Sequence, residues 1–449
     1  VVLVKKIRYA SVIIIILLLS MGSYYFYSKS MIKQWDNKIY PTIYINDINA
    51  SGKTKEEIYT IIEENISYLM EKKINIKHKD KMFSLQYAQI NPSYNIEEIV
   101  NEAYNYGKGN KIFENLRLIK KPVEKRYYMK FDYDKQALDK FLDDLEKSIL
   151  VEAKSAGLEM VSPGSFKVKN EILGERLKKD EMRAHIISKI NDSKEKTLEV
   201  DAITEIINPG ITAQELRKVN SLISSFSTTY NSNNYSRAKN VEIATKAING
   251  ALIMPGESFS FNERTGVRTA EKGYQVAPVI VKNKLEDGLG GGVCQVSSTL
   301  YNAVIRANLR SIERRNHSLA PAYIAPGYDA TVSENIDYKF KNTLEYPVYI
   351  EGYIKNSKVN FNVYSDATVK DTEYTLVNEI YEQTPAETQI IEDPTLLKGT
   401  SKEETSHIGY KVKVYLVAKK GGAEIWKEVI SKDVYKKVDG IIRIGISEY

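Results

Sequence analysis

The chain begins with a basic cluster, Lys5-Lys-Ile-Arg8, and then runs from Tyr9 to Tyr27 without a charge, centred on Val12-Ile-Ile-Ile-Ile-Leu-Leu-Leu19. An uncharged, mostly apolar run of about 18 residues has the length to span a bilayer core. The basic residues before it predict a cytoplasmic tail over 1–8, an anchor over 9–27 and an ectodomain beyond. Bulky Tyr24-Tyr-Phe-Tyr27, followed by Lys29, stands where a cleaved leader needs small residues. The pattern thus predicts a single-pass membrane protein with a cytoplasmic N-terminus and an ectodomain outside the cytoplasm.

Past this run, helical and strand periods follow one another. Ile43–Ile48 reads as a strand and Ser51-Gly52 as a turn. Thr54 reads as an N-cap before Ile58, Ile61, Ile62 and Ile66, with acids in the first turn. A second, similar unit predicts a helix over 131–150, an extended stretch over 153–169 broken at Pro163-Gly164, a helix over 173–190 and a strand over 197–206. From about Ser225 glycines and small polar residues replace the Lys/Glu-rich helices. Asn240 is expected to cap a helix ending at Gly250. The tail alternates over 411–418, 425–430 and 440–446, with Lys419-Lys-Gly-Gly422 as a hairpin turn.

The resulting expectation is an α+β, multidomain chain. It comprises the transmembrane helix, an α+β repeat region (39–119 and 120–211), a mixed, β-rich catalytic domain (224–366) and a small all-β C-terminal domain (367–449). A length of 449 residues agrees with several domains. The net charge of +6 is small for that length and shows no basic block, which argues against a nucleic-acid partner. Many of the 32 tyrosines alternate with polar residues in strand-like runs and read as sheet packing.

The chemistry concentrates around a single cysteine. In Gly288-Leu-Gly-Gly-Gly-Val-Cys-Gln-Val-Ser-Ser-Thr-Leu-Tyr301 the glycines permit a tight loop, and Val296, Leu300, Val304 and Ala307 then keep a helical period. Cys294 is thereby placed at a helix N-terminus, which favours a thiolate and offers backbone N–H groups to an oxyanion. Gly292, Gln295, Val296, Ser297 and Ser298 are the candidate oxyanion and substrate contacts. Two readings of Cys294 stand, a nucleophile and a buried structural cysteine. A phosphate-binding loop fails, because no Lys-Ser/Thr follows the glycines.

A nucleophilic cysteine needs a base. Of four histidines, His78 reads as exposed charge, His185 lies in a helix of another domain and His407 in a C-terminal turn. His317, with Ser318 beside it, shares the cysteine's domain. Asp329 is the first candidate to orient the imidazole, with Asp337 or a backbone carbonyl as alternatives. Arg264, Arg268, Arg314 and Arg315 are candidates for pairing a substrate carboxylate. No metal-ligand spacing or dinucleotide fingerprint occurs, so neither metal nor cofactor is expected.

Residues 226–366 resemble the VanW family. The resemblance is carried by Phe226-Ser-Thr-Thr, Arg237 with Asn240, Ile248-Asn-Gly, Pro255-Gly-Glu, Phe259-Ser-Phe-Asn262 and Gly266-Val-Arg. It continues through the Cys294 motif, His317-Ser318, Gly327-Tyr-Asp-Ala-Thr331, Asp337 and Phe340-Lys-Asn342. Glu152-Ala153, Gly157 and Ile211-Thr-Ala-Gln-Glu-Leu216 resemble a peptidoglycan-binding repeat that often precedes such domains, and the tail resembles a small glycine-marked β module. The resemblance implies a cysteine L,D-transpeptidase acting on peptidoglycan stem peptides. It leaves open a non-catalytic wall-binding or glycopeptide-resistance accessory, and an L,D-carboxypeptidase on the same cysteine.

Overall fold

The computed structural model describes residues 2–192, 195–281 and 284–448. Val1 and Tyr449, the outer ends of the expected tail and C-terminal domain, lie outside them. The chain forms two compact units, Val1–Ala153 with Leu173–Asn208, and Lys154–Ile172 with Pro209–Tyr449.

In the first unit the expected anchor is corrected. Residues Val2–Lys33 form one helix, yet no helix among the described residues is long and apolar enough to cross a membrane. Its unbroken aliphatic run, Val12–Leu19, amounts to about 12 Å of helix against roughly 30 Å of hydrocarbon. Ser20, Gly22, Ser23 and the tyrosines follow at once. The C-terminal half belongs to the folded unit. Tyr24 stacks on Phe113, the Lys120 ammonium sits over the Tyr27 ring, Ser28 is buried and Ile32 packs on the nearest core. The single-pass location and the division into a cytoplasmic tail and an ectodomain are withdrawn with the anchor.

The same unit holds two apolar cores. Helix Lys55–Met70 is started by Thr54, whose hydroxyl accepts from the Glu57 amide while the Glu57 carboxylate accepts from the Thr54 amide. The helix buries Ile58 and Ile62 against Ile39, Ile43 and Val100. In the second core, Lys73–His78 lies between antiparallel Lys81–Gln86 and parallel Thr197–Asp201. Helices Lys135–Ile149 and Lys179–Asp192 supply the rest of that core through Leu138, Leu142, Leu145, Met182 and Ile186. The first of these starts later than the apolar pattern predicts because Asp134 caps it. The second does so because Gly174–Leu177 is taken into a strand pair with Thr204–Ile207. His78 is half-buried and bonded to Glu175 at 2.9 Å, which corrects its reading as exposed charge.

The second unit is built on a four-stranded antiparallel sheet in the order Ser221–Thr229, Lys358–Ser365, Val348–Lys355, Ala251–Ile253. Helices Tyr235–Ile248 and Val293–Ile305 pack against it through Val241, Ala244, Ile248, Val296, Leu300 and Val304. Asn234, not Asn240, caps the first of them. A smaller sheet joins Ser258–Ser260, Lys339–Lys341 and Arg310–Glu313. Between Glu313 and Lys339 the chain has no regular secondary structure. A loop that long inside a compact unit is usually a functional one.

The C-terminal segment folds as two three-stranded sheets. Glu373–Thr384, Gly409–Lys420 and Ala423–Tyr435 pair antiparallel, turning at Gly421-Gly422 with both φ positive. Gly440–Ser447 runs parallel to Thr388–Leu397 and antiparallel to Ser401–Glu404. Leu376, Val412, Val414, Leu416 and Tyr435 of the first sheet are buried in the same apolar cluster as Leu300, Val304 and Phe361.

Asn342 shows how the fold uses one short motif. Its side chain is buried, donates to the carbonyls of Ile253 and Tyr346 at 2.9 Å each, and accepts from the Leu344 amide at 3.0 Å. Asn342→Leu leaves three backbone groups unpaired and is expected to lower unfolding free energy by about 3 kcal/mol. Urea denaturation against wild type reads this directly, and an unchanged midpoint contradicts the assignment.

Candidate thiol centre

The glycine loop places the cysteine. Gly290 and Gly292 have φ of +87° and +104°, a region that side chains rarely adopt. The loop is also crowded on each side. A Cβ on Gly291 would fall 2.6 Å from the Ala277 backbone, one on Gly290 would press on the Arg268 stem, and one on Gly292 on the Arg237 stem. Asn240, buried within its helix, fixes the loop by donating to the carbonyls of Gln275 and Gly291 and accepting from the Gln275 amide. Its expected capping role is thus replaced by a clamp between helix and loop.

Gly292 is the N-cap of helix Val293–Ile305, in which every residue except Cys294 is buried. Cys294 is therefore the one residue of this helix that is not fully enclosed. Cys294 Sγ lies 3.2 Å from the Val332 carbonyl and 3.5 Å from its amide. Burial raises its pKa. The His317 imidazole, the Val332 contact and the Arg268 charge together outweigh burial, and the thiol ends below its ordinary value.

His317 is buried in the loop between Glu313 and Lys339, with Nδ1 2.6 Å from Asp329 Oδ2; the same oxygen accepts from the His317 amide at 2.6 Å. Burial opposes the imidazolium, but the bond to Asp329 and the charge of Cys294 push its pKa up to about 10. Asp329 has no exposed surface. Burial raises its pKa, and His317, Arg314 and Tyr435 bring it below the ordinary carboxylate range. The arrangement favours a thiolate–imidazolium pair backed by a carboxylate. Asp337 is engaged elsewhere, accepting from the Ser260 hydroxyl and the Asn262 amide.

The remaining expected residues divide. Arg268 lies against the thiol electrostatically, donates to Asn262 Oδ1 at 2.8 Å, and keeps a buried Nε without a partner among the described residues. Ser297 and Ser298 are buried and tie the helix to the Asp329 loop. Ser297 donates to the Ala330 carbonyl at 2.6 Å, and the Ser298 hydroxyl accepts from the Ala330 amide at 2.9 Å. The Gln295 amide already donates to the Gly292 carbonyl, and its side chain bonds Arg237, Thr228 and the Thr229 carbonyl. Val296 is wholly buried. Arg264 donates to the Ala247 and Asn249 carbonyls at the end of helix Tyr235–Ile248. The Ser318 carbonyl accepts from the Lys436 amide, and the Arg315 carbonyl from the Thr331 amide. Arg314 is held by Asp433 and the Asp329 loop, so its guanidinium is already paired.

Sequence reasoning missed two neighbours of the thiol. Arg237 donates to Gln295 at 2.7 Å and interacts electrostatically with Cys294. Tyr323, pushed well above its ordinary pKa by burial and by the Cys294 charge, lies 3.4 Å from Ser298 Oγ. Arg237 already stood in the motif with Asn240, but Tyr323 carried no local signal. No group of acidic, histidine or cysteine side chains suited to a metal ion occurs among the described residues.

These features define a mixed α/β domain with a cysteine–histidine–aspartate centre at a glycine-loop helix N-terminus. Family comparison places that domain: residues 236–364 match the model described as VanW like protein. The chain thus carries a VanW-like domain. Residues 83–199 match a model named for peptidoglycan binding, and 375–447 match the G5 domain. The protein YoaR of Bacillus subtilis (strain 168) is 43% identical over 143 residues, covering 32% of this chain and 47% of that one. The vancomycin B-type resistance protein VanW of Enterococcus faecalis is 34% identical over 136 residues, covering 28% and 48%. The chain thus spans about half the length of these curated relatives. The G5 domain of an IgA1 protease aligns over 17% of this chain and 93% of its own, at 20% identity and a TM-score of 0.13.

Because His317 offsets the effect of burial, the thiol is expected to alkylate with iodoacetamide below the ordinary thiol range. In His317→Ala burial remains and the main opposing charge is gone, so the pKa moves up. The rate at pH 7 is then expected to fall at least about tenfold, one pKa unit or more. Equal rates in the two proteins, each folded by circular dichroism, would remove His317 from the centre.

Proposed function

We propose that this VanW-domain protein is a cell-wall-associated cysteine acyltransferase, an L,D-transpeptidase that joins peptidoglycan stem peptides through their third residues. The observation that carries the reading is Cys294. It is the only partly exposed residue of an otherwise buried helix, and it lies under the electrostatic influence of a histidine that is itself bonded to a buried carboxylate. The peptidoglycan-binding and G5 matches and the name of the resistance relative support a wall substrate.

In this reading the Cys294 thiolate attacks the carbonyl carbon of the third residue in a donor tetrapeptide. The oxyanion collapses, the bond to the terminal D-alanine nitrogen breaks, and the His317 imidazolium gives its proton to the leaving amine. A thioester remains on Cys294. The side-chain amine of a second stem's third residue then attacks it and passes a proton to His317, and the C–S bond breaks to restore the ion pair. One amide replaces another, so no external energy source is needed. Asp329 keeps the imidazole oriented with Nδ1 occupied. Arg268, with its unpartnered Nε, and Arg237 are placed to pair the terminal carboxylate of the donor.

The test incubates the purified chain, wild type beside Cys294→Ala, with disaccharide-tetrapeptide muropeptides and follows products by mass spectrometry. Dimers linked through their third residues, formed by wild type and absent from the variant, are the expected result. Trimmed monomers alone would reassign the centre to a carboxypeptidase with water as acceptor. No turnover by folded wild type across several stem types would leave a wall-binding protein without this chemistry.

A further inference from the structure

The carboxylate behind His317 is held from two directions, and one of them is the C-terminal module. Asp329 Oδ2 serves the histidine. Oδ1 accepts from the Tyr435 hydroxyl at 2.5 Å and faces Arg314 Nη2 at 3.4 Å. Arg314 is aimed in turn by Asp433, whose two oxygens each accept from its Nη1 at 2.7 Å. Tyr435 and Asp433 both lie on strand Ala423–Tyr435, 106 and 104 residues beyond Asp329.

The rest of the catalytic loop is tied to the same sheet. The Gly327 amide donates to the Tyr435 oxygen at 2.6 Å, and the Tyr328 hydroxyl to the Leu376 carbonyl at 2.7 Å. Asn378 donates to the Pro326 carbonyl, Asn316 to the Val434 carbonyl, and the Lys436 amide to the Ser318 carbonyl. At Gly327, with φ of +95°, an added Cβ would lie 2.5 Å from Val414. The loop therefore has no room to lift from the module at that point.

We propose that Tyr435 and Asp433 are positioning residues of the thiol centre, so that the G5-matching module completes the active site of the VanW-like domain. This rests on the Cys294–His317–Asp329 reading. The phenol and the Arg314–Asp433 pair fix the Asp329 carboxylate in the orientation in which its other oxygen meets His317. Without them that oxygen is free to turn, the imidazolium loses support, and the thiolate forms only at higher pH.

The experiment uses the full chain in four forms: wild type, Tyr435→Phe, Asp433→Asn, and Tyr415→Phe, which removes a phenol from the same module where it bonds only Glu379. Thermal unfolding checks the fold, iodoacetamide alkylation across pH reads the thiol, and the muropeptide assay gives kcat and KM. In Tyr435→Phe the alkylation profile and the acid limb of kcat/KM are expected to move to higher pH, with kcat down about tenfold and KM unchanged, as is usual on losing a partner that orients a catalytic ligand. Asp433→Asn should move in the same direction, and Tyr415→Phe should match wild type. A folded Tyr435→Phe protein with wild-type profiles overturns the proposal. If wild type turns over no muropeptide, the shift in the alkylation profile still decides the coupling. An ordinary thiol pKa in wild type would remove the ion pair, and this proposal with it.

Discussion

Asp329 is a carboxylate with no contact with water, and a charge in that position survives only if the protein answers both of its oxygens. One faces the His317 ring and amide, the other a phenol and a guanidinium. Every element that supplies a partner must then be present and in register. These are the irregular loop that carries Arg314 and His317, and strand Ala423–Tyr435. A network satisfied to this degree rigidifies its surroundings, and removal of one member leaves a buried charge partly unpaired. The position of the imidazole follows from that requirement.

The cysteine owes its setting to packing. Helix Val293–Ile305 is buried at every position but Cys294, so its polar groups had to find partners inside the unit. Thr299 meets Thr228, Asn302 holds the Tyr328 carbonyl, and the two serines grip Ala330. These hydroxyls and amides crowd the motif around Cys294 and look like catalytic equipment in the sequence. In the structure they are the bonds by which an almost fully enclosed helix holds an irregular loop against itself.

What could be read along the chain was what depends on near neighbours. The Thr54 cap, the turn at Gly421-Gly422 and the passage from glycine loop to helix are local matters of backbone preference and period. The VanW-like domain was legible because its motifs are dense. Asn240 was misread as a cap because an asparagine near a helix start invites that reading, and only the tertiary structure shows Gly291 and Gln275 against it. The N-terminal run was misread by counting uncharged residues, when the strictly aliphatic part is short and the helix continues into a folded core. Tyr435 and Asp433 had no signal at all. A tyrosine in an alternating strand reads as sheet packing, and its partner lies a hundred residues away.

That separation has a consequence for biosynthesis. Domains tend to fold as they emerge from the ribosome, N-terminal parts first. A chain synthesised only as far as residue 430 already contains the cysteine, the histidine and the aspartate, but neither Tyr435 nor Asp433. Its Asp329 lacks two of its supports, and the apolar cluster lacks Tyr435. The thiol is thus kept from its finished environment until synthesis has passed residue 435. Strand Ala423–Tyr435 thus acts as a checkpoint, separating molecules that contain it from those truncated before it by chemistry as well as by stability.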